Sequence, residues 1–87
     1  MKELTLFYLA SCPHCVRAQK YMQELQDEDP RYASIPIKRV EERQEKSLAD
    51  SYDYYYVPCY YISSTKLHEG TIDKDGVRAI FEEALQS

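Results

Sequence analysis

The feature that most constrains the fold is a change of hydrophobic pattern near the N-terminus, across the segment Ser11–Pro13. Before it, Leu4–Leu9 is a short continuous run of strand-forming residues, which predicts a strand buried on both faces. After it, apolar side chains recur at the spacing of one helical stripe: Cys15, Ala18, Met22 and Leu25. Pro13 suits the first turn of a helix, where its missing N–H costs nothing. The sequence therefore predicts a strand joined to a helix by a short junction that carries two cysteines.

The rest of the chain predicts three strands and two helices. They are a strand at Ile35–Val40, a charged helix at Glu41–Tyr52, a hairpin of Cys59–Ser63 and Lys66–Glu69, and a helix built on Val77, Ile80, Phe81, Ala84 and Leu85. The acidic residues before Pro30 end the first helix, and Pro36 places its strand near an edge or at a strand start. Asp73 or Asp75 is expected to cap the last helix.

The predicted order of elements is β-α-β-α-β-β-α, which makes residues 1–87 a single α/β domain. An opening βαβ unit requires a right-handed crossover and two parallel strands. The closing hairpin adds antiparallel strands to the same sheet. We therefore expect a mixed sheet of four strands flanked by three helices.

Composition narrows the classes of partner. The chain has 11 Lys and Arg against 15 Asp and Glu, a formal net charge of −4, which gives no attraction to nucleic acid or anionic lipid. No apolar run approaches the roughly 18 residues of a membrane span. We expect a monomer with no nucleic-acid and no membrane partner.

Cysteine usage indicates the compartment. Three cysteines cannot all pair within one chain, so the pattern differs from that of a disulfide-stapled secreted scaffold. Lys2 and Glu3 lead directly into the first predicted strand, which leaves no separate apolar region for a signal peptide. We expect the reducing cytoplasm.

The chemistry is expected at Cys12 and Cys15, on either side of Pro13-His14. Cysteines at this spacing across a helix N-terminus can reach disulfide geometry without backbone movement. Cys12 lies just ahead of the helix, where unpaired N–H groups stabilise an anion, whereas Cys15 lies on the buried stripe. This predicts an exposed nucleophilic thiolate at Cys12, a shielded resolving thiol at Cys15, and a redox-active disulfide between them.

Pro13 and His14 are expected to tune this pair. Pro13 stiffens the turn, and His14 can bring a positive charge or a hydrogen-bond donor beside the Cys12 sulfur. A better stabilised thiolate stabilises the reduced form, which makes the disulfide more oxidising.

A Cys-x-x-Cys sequence between a first strand and a first helix is similar to the thioredoxin superfamily, and this chain looks most like glutaredoxins. A second match is Tyr56-Val57-Pro58, which lies where the family has Thr-Val-Pro with a cis proline. The resemblance implies that Val57 binds substrate backbone as an added strand and that Pro58 shapes the groove. It also implies substrate-binding positions at Tyr56, Gly70 and Thr71.

The resemblance implies a thiol–disulfide oxidoreductase that reduces protein or small-molecule disulfides, with no tightly bound cofactor. An external reductant, thioredoxin reductase or glutathione, would regenerate the dithiol. The sequence departs from glutaredoxins at the positions that meet glutathione, which are Leu9 in place of a lysine and Gly70-Thr71 in place of Gly-Gly. Pro13-His14 instead resembles the DsbA-type oxidants. Leu6 stands where thioredoxins bury an acid.

Two alternatives remain open at this stage. Cys12 and Cys15 could belong to a metal or iron–sulfur binding module, although Cys59, His14 and His68 have no ligand spacing. The protein could also be a disulfide donor or isomerase, as the Pro-His dipeptide favours.

Other conspicuous residues have structural explanations. Cys59 is expected to be a buried hydrophobe or a third thiol near the site, and His68 a surface strand residue. The charges of Glu41–Glu45 are expected on a solvated helix face. Tyr54–Tyr56 border the predicted substrate groove.

Overall fold

Four strands form one mixed sheet in a computed structural model that describes residues 1–87. The strands are β1 (Leu4–Tyr8), β2 (Ile37–Glu41), β3 (Cys59–Ile62) and β4 (Thr65–Glu69), and their order across the sheet is β2-β1-β3-β4. β1 runs parallel to β2 and antiparallel to β3, and β3 pairs with β4 as an antiparallel hairpin. The predicted sheet is confirmed.

The helices are α1 (Pro13–Glu28), α2 (Pro30–Ala33), α3 (Lys46–Asp50) and α4 (Lys74–Gln86). Three of them correspond to the predicted helices, and α2 is an additional single turn. It forms because the Asp29 carboxylate accepts the N–H of Arg31 at 3.0 Å while Pro30 occupies the first helical position. The residues that end α1 therefore also start α2. None of the four helices combines the length and apolar character needed to cross a membrane.

Successive side chains of a strand point to opposite faces of the sheet, so both faces carry apolar side chains. Helices cover each of these faces. One face packs against α1, α2 and α4, in a cluster of Leu4, Leu6, Met22, Leu25, Tyr32, Ile35, Tyr60, Ile62, Val77, Ile80, Phe81 and Ala84. The other face packs against α3, in a smaller cluster of Phe7, Val40, Ala49, Cys59 and Tyr61. The sheet is thus thickly covered on one side and thinly on the other.

The predicted helix Glu41–Tyr52 is wrong in its start and extent. Glu41 is instead the last residue of β2, opposite Tyr8 of β1, and its carbonyl accepts the N–H groups of Gln44 and Glu45 in a turn. Only Lys46–Asp50 is helical. The strand wins at Glu41 because its main chain pairs with β1, a tertiary contact that sequence periodicity does not report.

Two other boundaries move by one or two residues. β2 starts at Ile37 rather than Ile35, directly after Pro36, and it is an edge strand, as the proline indicates. The hairpin turns at Ser63-Ser64 rather than one residue later, with Ser63 at a positive φ of 54°.

The cap of α4 generates a stability prediction. The Asp73 carboxylate accepts the N–H of Gly76 at 2.7 Å at the start of the helix. Asp73→Ala should therefore lower the free energy of unfolding by about 1 kcal/mol, measured by chemical denaturation. Asp73→Ser keeps an accepting oxygen and is the matched control. Equal losses in the two variants would contradict the capping role.

Candidate active site

The cysteine pair lies where β1 ends and α1 begins. The chain leaves the sheet through a turn in which the Cys12 N–H donates to the carbonyl of Leu9 at 3.1 Å. Cys12 has extended backbone angles, φ −85° and ψ 121°, and Pro13 occupies the first helical position. This is the strand–helix junction that the sequence predicts. Both cysteines are free thiols.

Cys12 is half-buried at the N-terminus of α1. The N–H of Cys15 is directed at its sulfur and is the largest factor that lowers the pKa of Cys12 below its ordinary value; the His14 N–H, the Cys15 thiol and the Arg17 charge act in the same direction. The His14 and Cys15 N–H groups belong to the first turn of α1, where the helix dipole favours a negative charge, and the Cys15 N–H also donates to the Cys12 carbonyl at 3.0 Å. The geometry favours a nucleophile at Cys12.

Cys15 has the opposite environment. Its side chain is only 1% exposed, and this burial raises its pKa to about 11, although the Leu9 N–H donates to the sulfur at 3.5 Å. The negative charge of Cys12 is a further cause of the rise. One turn of helix thus contains an activated thiol and a shielded one.

The positively charged side chain near Cys12 is that of Arg17 rather than His14. The His14 ring accepts a hydrogen bond at Nδ1 from Arg17 Nη2 at 2.5 Å, because a guanidinium can only donate. His14 faces the Cys12 sulfur with its main-chain N–H, and the nearby positive charge belongs to Arg17. Arg17 was not among the predicted site residues, although its spacing of three residues from His14 places both on one face of the helix.

A buried carboxylate holds the junction from the neighbouring strand. Glu41 is 6% exposed, and its oxygens accept the N–H of Ala10 at 3.0 Å and that of Arg43 at 2.7 Å. The Arg43 guanidinium in turn donates to Ser11 Oγ at 3.1 Å. The first of these contacts is the largest factor that lowers the pKa of Glu41. The expectation of a solvated helix face is therefore wrong for Glu41.

The second predicted feature, Tyr56-Val57-Pro58, lies at the same end of the sheet, where β1 finishes. Cys59 pairs with Phe7 across β3 and β1, so Pro58 lies beside the end of β1, next to the cysteine junction. The Val57–Pro58 peptide bond is cis, as the resemblance implies. Pro58 is buried and Val57 half-buried. The N–H and C=O of Val57 make no hydrogen bond.

Gly70 and Thr71 follow β4 and flank this segment. The Gly70 N–H donates to the Pro58 carbonyl at 2.9 Å, and its φ of 95° lies in the region that favours glycine. Thr71 is exposed, and its carbonyl accepts a hydrogen bond from the ring of His68 at 2.9 Å. Gly70 therefore adjoins the predicted groove, and the substrate-binding roles of Gly70 and Thr71 stay predictions.

The tyrosines before Val57 divide into two groups. Tyr54 stacks on Phe7 and donates its hydroxyl to Glu42 at 2.9 Å, so it belongs to the fold. Tyr55 and Tyr56 are 85% and 69% exposed. Two large hydrophobic side chains are thus presented to solvent beside the unpaired main chain of Val57.

Cys59 has an environment opposite to that of Cys12. It is fully buried in the smaller cluster, and burial raises its pKa to about 12. This agrees with the expectation of a buried hydrophobe. No three His, Cys, Asp or Glu side chains are grouped as metal ligands would be.

The fold is thioredoxin-like. It is similar to the solution structure of an uncharacterized thioredoxin-like protein from Clostridium perfringens, with 24% identity, a TM-score of 0.67, and coverage of 97% of this chain and 71% of that one. It is also similar to a malarial protein, with 18% identity, a TM-score of 0.69, and coverage of 95% and 96%. Comparisons with protein-family models and with curated proteins gave no match.

The site geometry predicts how Cys12 reacts with an alkylating agent as pH rises. The alkylation rate should follow the thiolate fraction, with a midpoint below that of an ordinary cysteine because of the N–H groups and Arg17. Arg17→Gln should raise this midpoint and slow alkylation at neutral pH. Lys20→Gln removes an exposed charge of the same helix and is the control. A midpoint that moves equally in both variants would refute the assignment to Arg17.

Proposed function

We propose that this protein is a thiol–disulfide oxidoreductase that reduces disulfides of proteins or small molecules through Cys12 and Cys15. The observation that carries the proposal is the contrast within one helical turn. Cys12 is accessible with a lowered pKa, and Cys15 is buried with a raised one. This difference supports Cys12 as the nucleophile and Cys15 as the resolving thiol.

The reaction proceeds in two exchanges. The Cys12 thiolate attacks one sulfur of the substrate; the substrate S–S bond breaks, and its other sulfur leaves as a thiolate that takes a proton from water. Cys15 then loses its proton and attacks the Cys12 sulfur, which forms the Cys12–Cys15 disulfide and releases the second substrate thiolate. Two electrons have passed to the substrate, and an external dithiol or thiol restores the protein.

The first exchange prepares the second one. The charge on Cys12 is one of the factors that raise the pKa of Cys15, and it disappears when Cys12 enters the mixed disulfide. Cys15 then loses its proton more easily. The resolving thiol is thus protected until a substrate is attached.

The substrate is held by the segment beside Cys12. The free N–H and C=O of Val57 suit an extended segment added as a strand, with Pro58 shaping the groove and Tyr56, Gly70 and Thr71 flanking it. We assign the protein to the glutaredoxin-like members of its fold class, as a monomer in the reducing cytoplasm that contributes to thiol redox balance. Its reductant is thioredoxin reductase or glutathione, and it holds no tightly bound cofactor.

A disulfide donor or isomerase is the second candidate, because several groups stabilise the Cys12 thiolate. A stabilised thiolate favours the reduced form and raises the potential. The redox equilibrium in graded glutathione buffers decides, with thiols trapped and read by intact mass. A Cys12–Cys15 potential of about −200 to −270 mV supports the reductase, and one near about −120 mV the donor. Absence of an internal disulfide at every potential would refute both and favour the metal-binding module.

Single substitutions of the pair test the order of attack. Cys12→Ser should abolish turnover of a disulfide substrate, whereas Cys15→Ser should accumulate a substrate adduct on Cys12, both read by intact mass. Cys59→Ser is the control, since the Cys59 sulfur is fully buried and has a raised pKa, and it should retain turnover. Loss of activity in Cys15→Ser without any adduct would contradict the mechanism.

A further inference from the structure

A second carboxylate holds the segment that precedes Val57. Glu69, the last residue of β4, accepts the main-chain N–H groups of Tyr55 and Tyr56, the latter at 3.0 Å. Its other oxygen lies 2.9 Å from Lys66 Nζ, and its side chain is 20% exposed. The two N–H groups belong to a stretch with no helix or strand of its own, so the carboxylate supplies partners that secondary structure does not.

The end of β4 forms hydrogen bonds with this segment at two points. Glu69 holds Tyr55 and Tyr56 with its side chain, and Gly70 holds Pro58 with its N–H at 2.9 Å. Val57 lies between these two hydrogen-bonded points, and its own N–H and C=O remain unpaired. From Tyr55 to Pro58, Val57 therefore has the one free main-chain N–H that can be offered to an incoming strand.

The negative charge of Glu69 strengthens its hydrogen bonds to this segment. The Tyr55 N–H is the largest factor, followed by Lys66 and the Tyr56 N–H, that lower the pKa of Glu69 to about 2. The carboxylate thus stays ionised at any pH at which Cys12 forms a thiolate, and its hydrogen bonds are charge-assisted.

We propose that Glu69 is a positioning residue for substrate capture: by occupying the N–H groups of Tyr55 and Tyr56, it fixes the register in which a polypeptide disulfide pairs with Val57. This inference rests on the proposed function. It also explains why the rings of Tyr55 and Tyr56 are exposed, since their main chain is anchored and their side chains flank the strand that docks.

The test compares two substrates of different size. A fluorescent peptide mixed disulfide can pair with Val57, whereas hydroxyethyl disulfide is too small to do so. Glu69→Gln removes the charge from both main-chain hydrogen bonds, which use the same oxygen, and places an N–H donor against Lys66, so kcat/KM for the peptide should fall about tenfold or more, through KM. Turnover of hydroxyethyl disulfide and the pH profile of Cys12 alkylation should stay unchanged.

Two matched variants isolate the contact. Lys66→Gln removes the partly exposed ion pair and leaves both main-chain contacts, so its effect should be much smaller. Glu83→Gln neutralises an exposed carboxylate of α4 outside the site and should behave as wild type. Equal losses for both substrates in Glu69→Gln, or an unchanged KM for the peptide, would overturn the inference. A wild-type protein that turns over neither substrate would overturn the proposed function as well.

Amide hydrogen exchange provides a test that does not depend on the stability of Glu69→Gln. In wild type the N–H groups of Tyr55 and Tyr56 should exchange slowly and that of Val57 rapidly. In the adduct of Cys15→Ser with the peptide, Val57 should become slow as well. Rapid exchange at Tyr55 and Tyr56 in wild type, or no change at Val57 in the adduct, would overturn the inference.

Discussion

The main-chain N–H groups in the first turn of α1 are the groups on which the site depends. They carry the positive end of the helix dipole, and β1 delivers Cys12 to the position where they converge. The same turn places Cys15 against the sheet, where burial raises its pKa. One local geometry therefore produces two thiols of opposite character, and Arg17 and His14 only modify it.

Two acids support this junction from either side. Glu41 of β2 holds the loop before Cys12, and Glu69 of β4 holds the loop before Val57. Each carboxylate belongs to the end of an edge strand and accepts main-chain N–H groups of an irregular segment. Both segments are loops, and such backbone needs hydrogen-bond partners from outside its own regular structure. The side chains of the two edge strands supply these hydrogen-bond partners. The loops can therefore keep irregular conformations that pairing in a β-ladder would not allow.

How much the sequence predicts follows from how local each signal is. The junction at Cys12–Cys15, the caps and the order of elements rest on neighbouring residues, so pattern and propensity predict them. The hydrogen bond from Ala10 to Glu41 spans 31 positions and that from Tyr56 to Glu69 spans 13. Nothing near Glu41 or Glu69 in the chain distinguishes them from surface acids. The end of β2 at Glu41 also depends on pairing with β1 that only the folded chain reveals, whereas the extra turn α2 rests on a local signal, Asp29-Pro30, that the sequence pattern indicates only as the end of a helix.

The uneven cover of the two sheet faces has a consequence for Cys59. On its side the sheet is protected by the five residues of α3 and a few aromatic rings, while three helices pack on the opposite face. Short elements with few buried contacts open locally at lower free energy than the main core. We therefore expect the buried Cys59 sulfur to reach solvent when this thinner side opens, so that its modification rate depends on the local opening of one face as well as on its raised pKa. Cys59 can therefore serve as an internal probe of the local stability of this side of the domain.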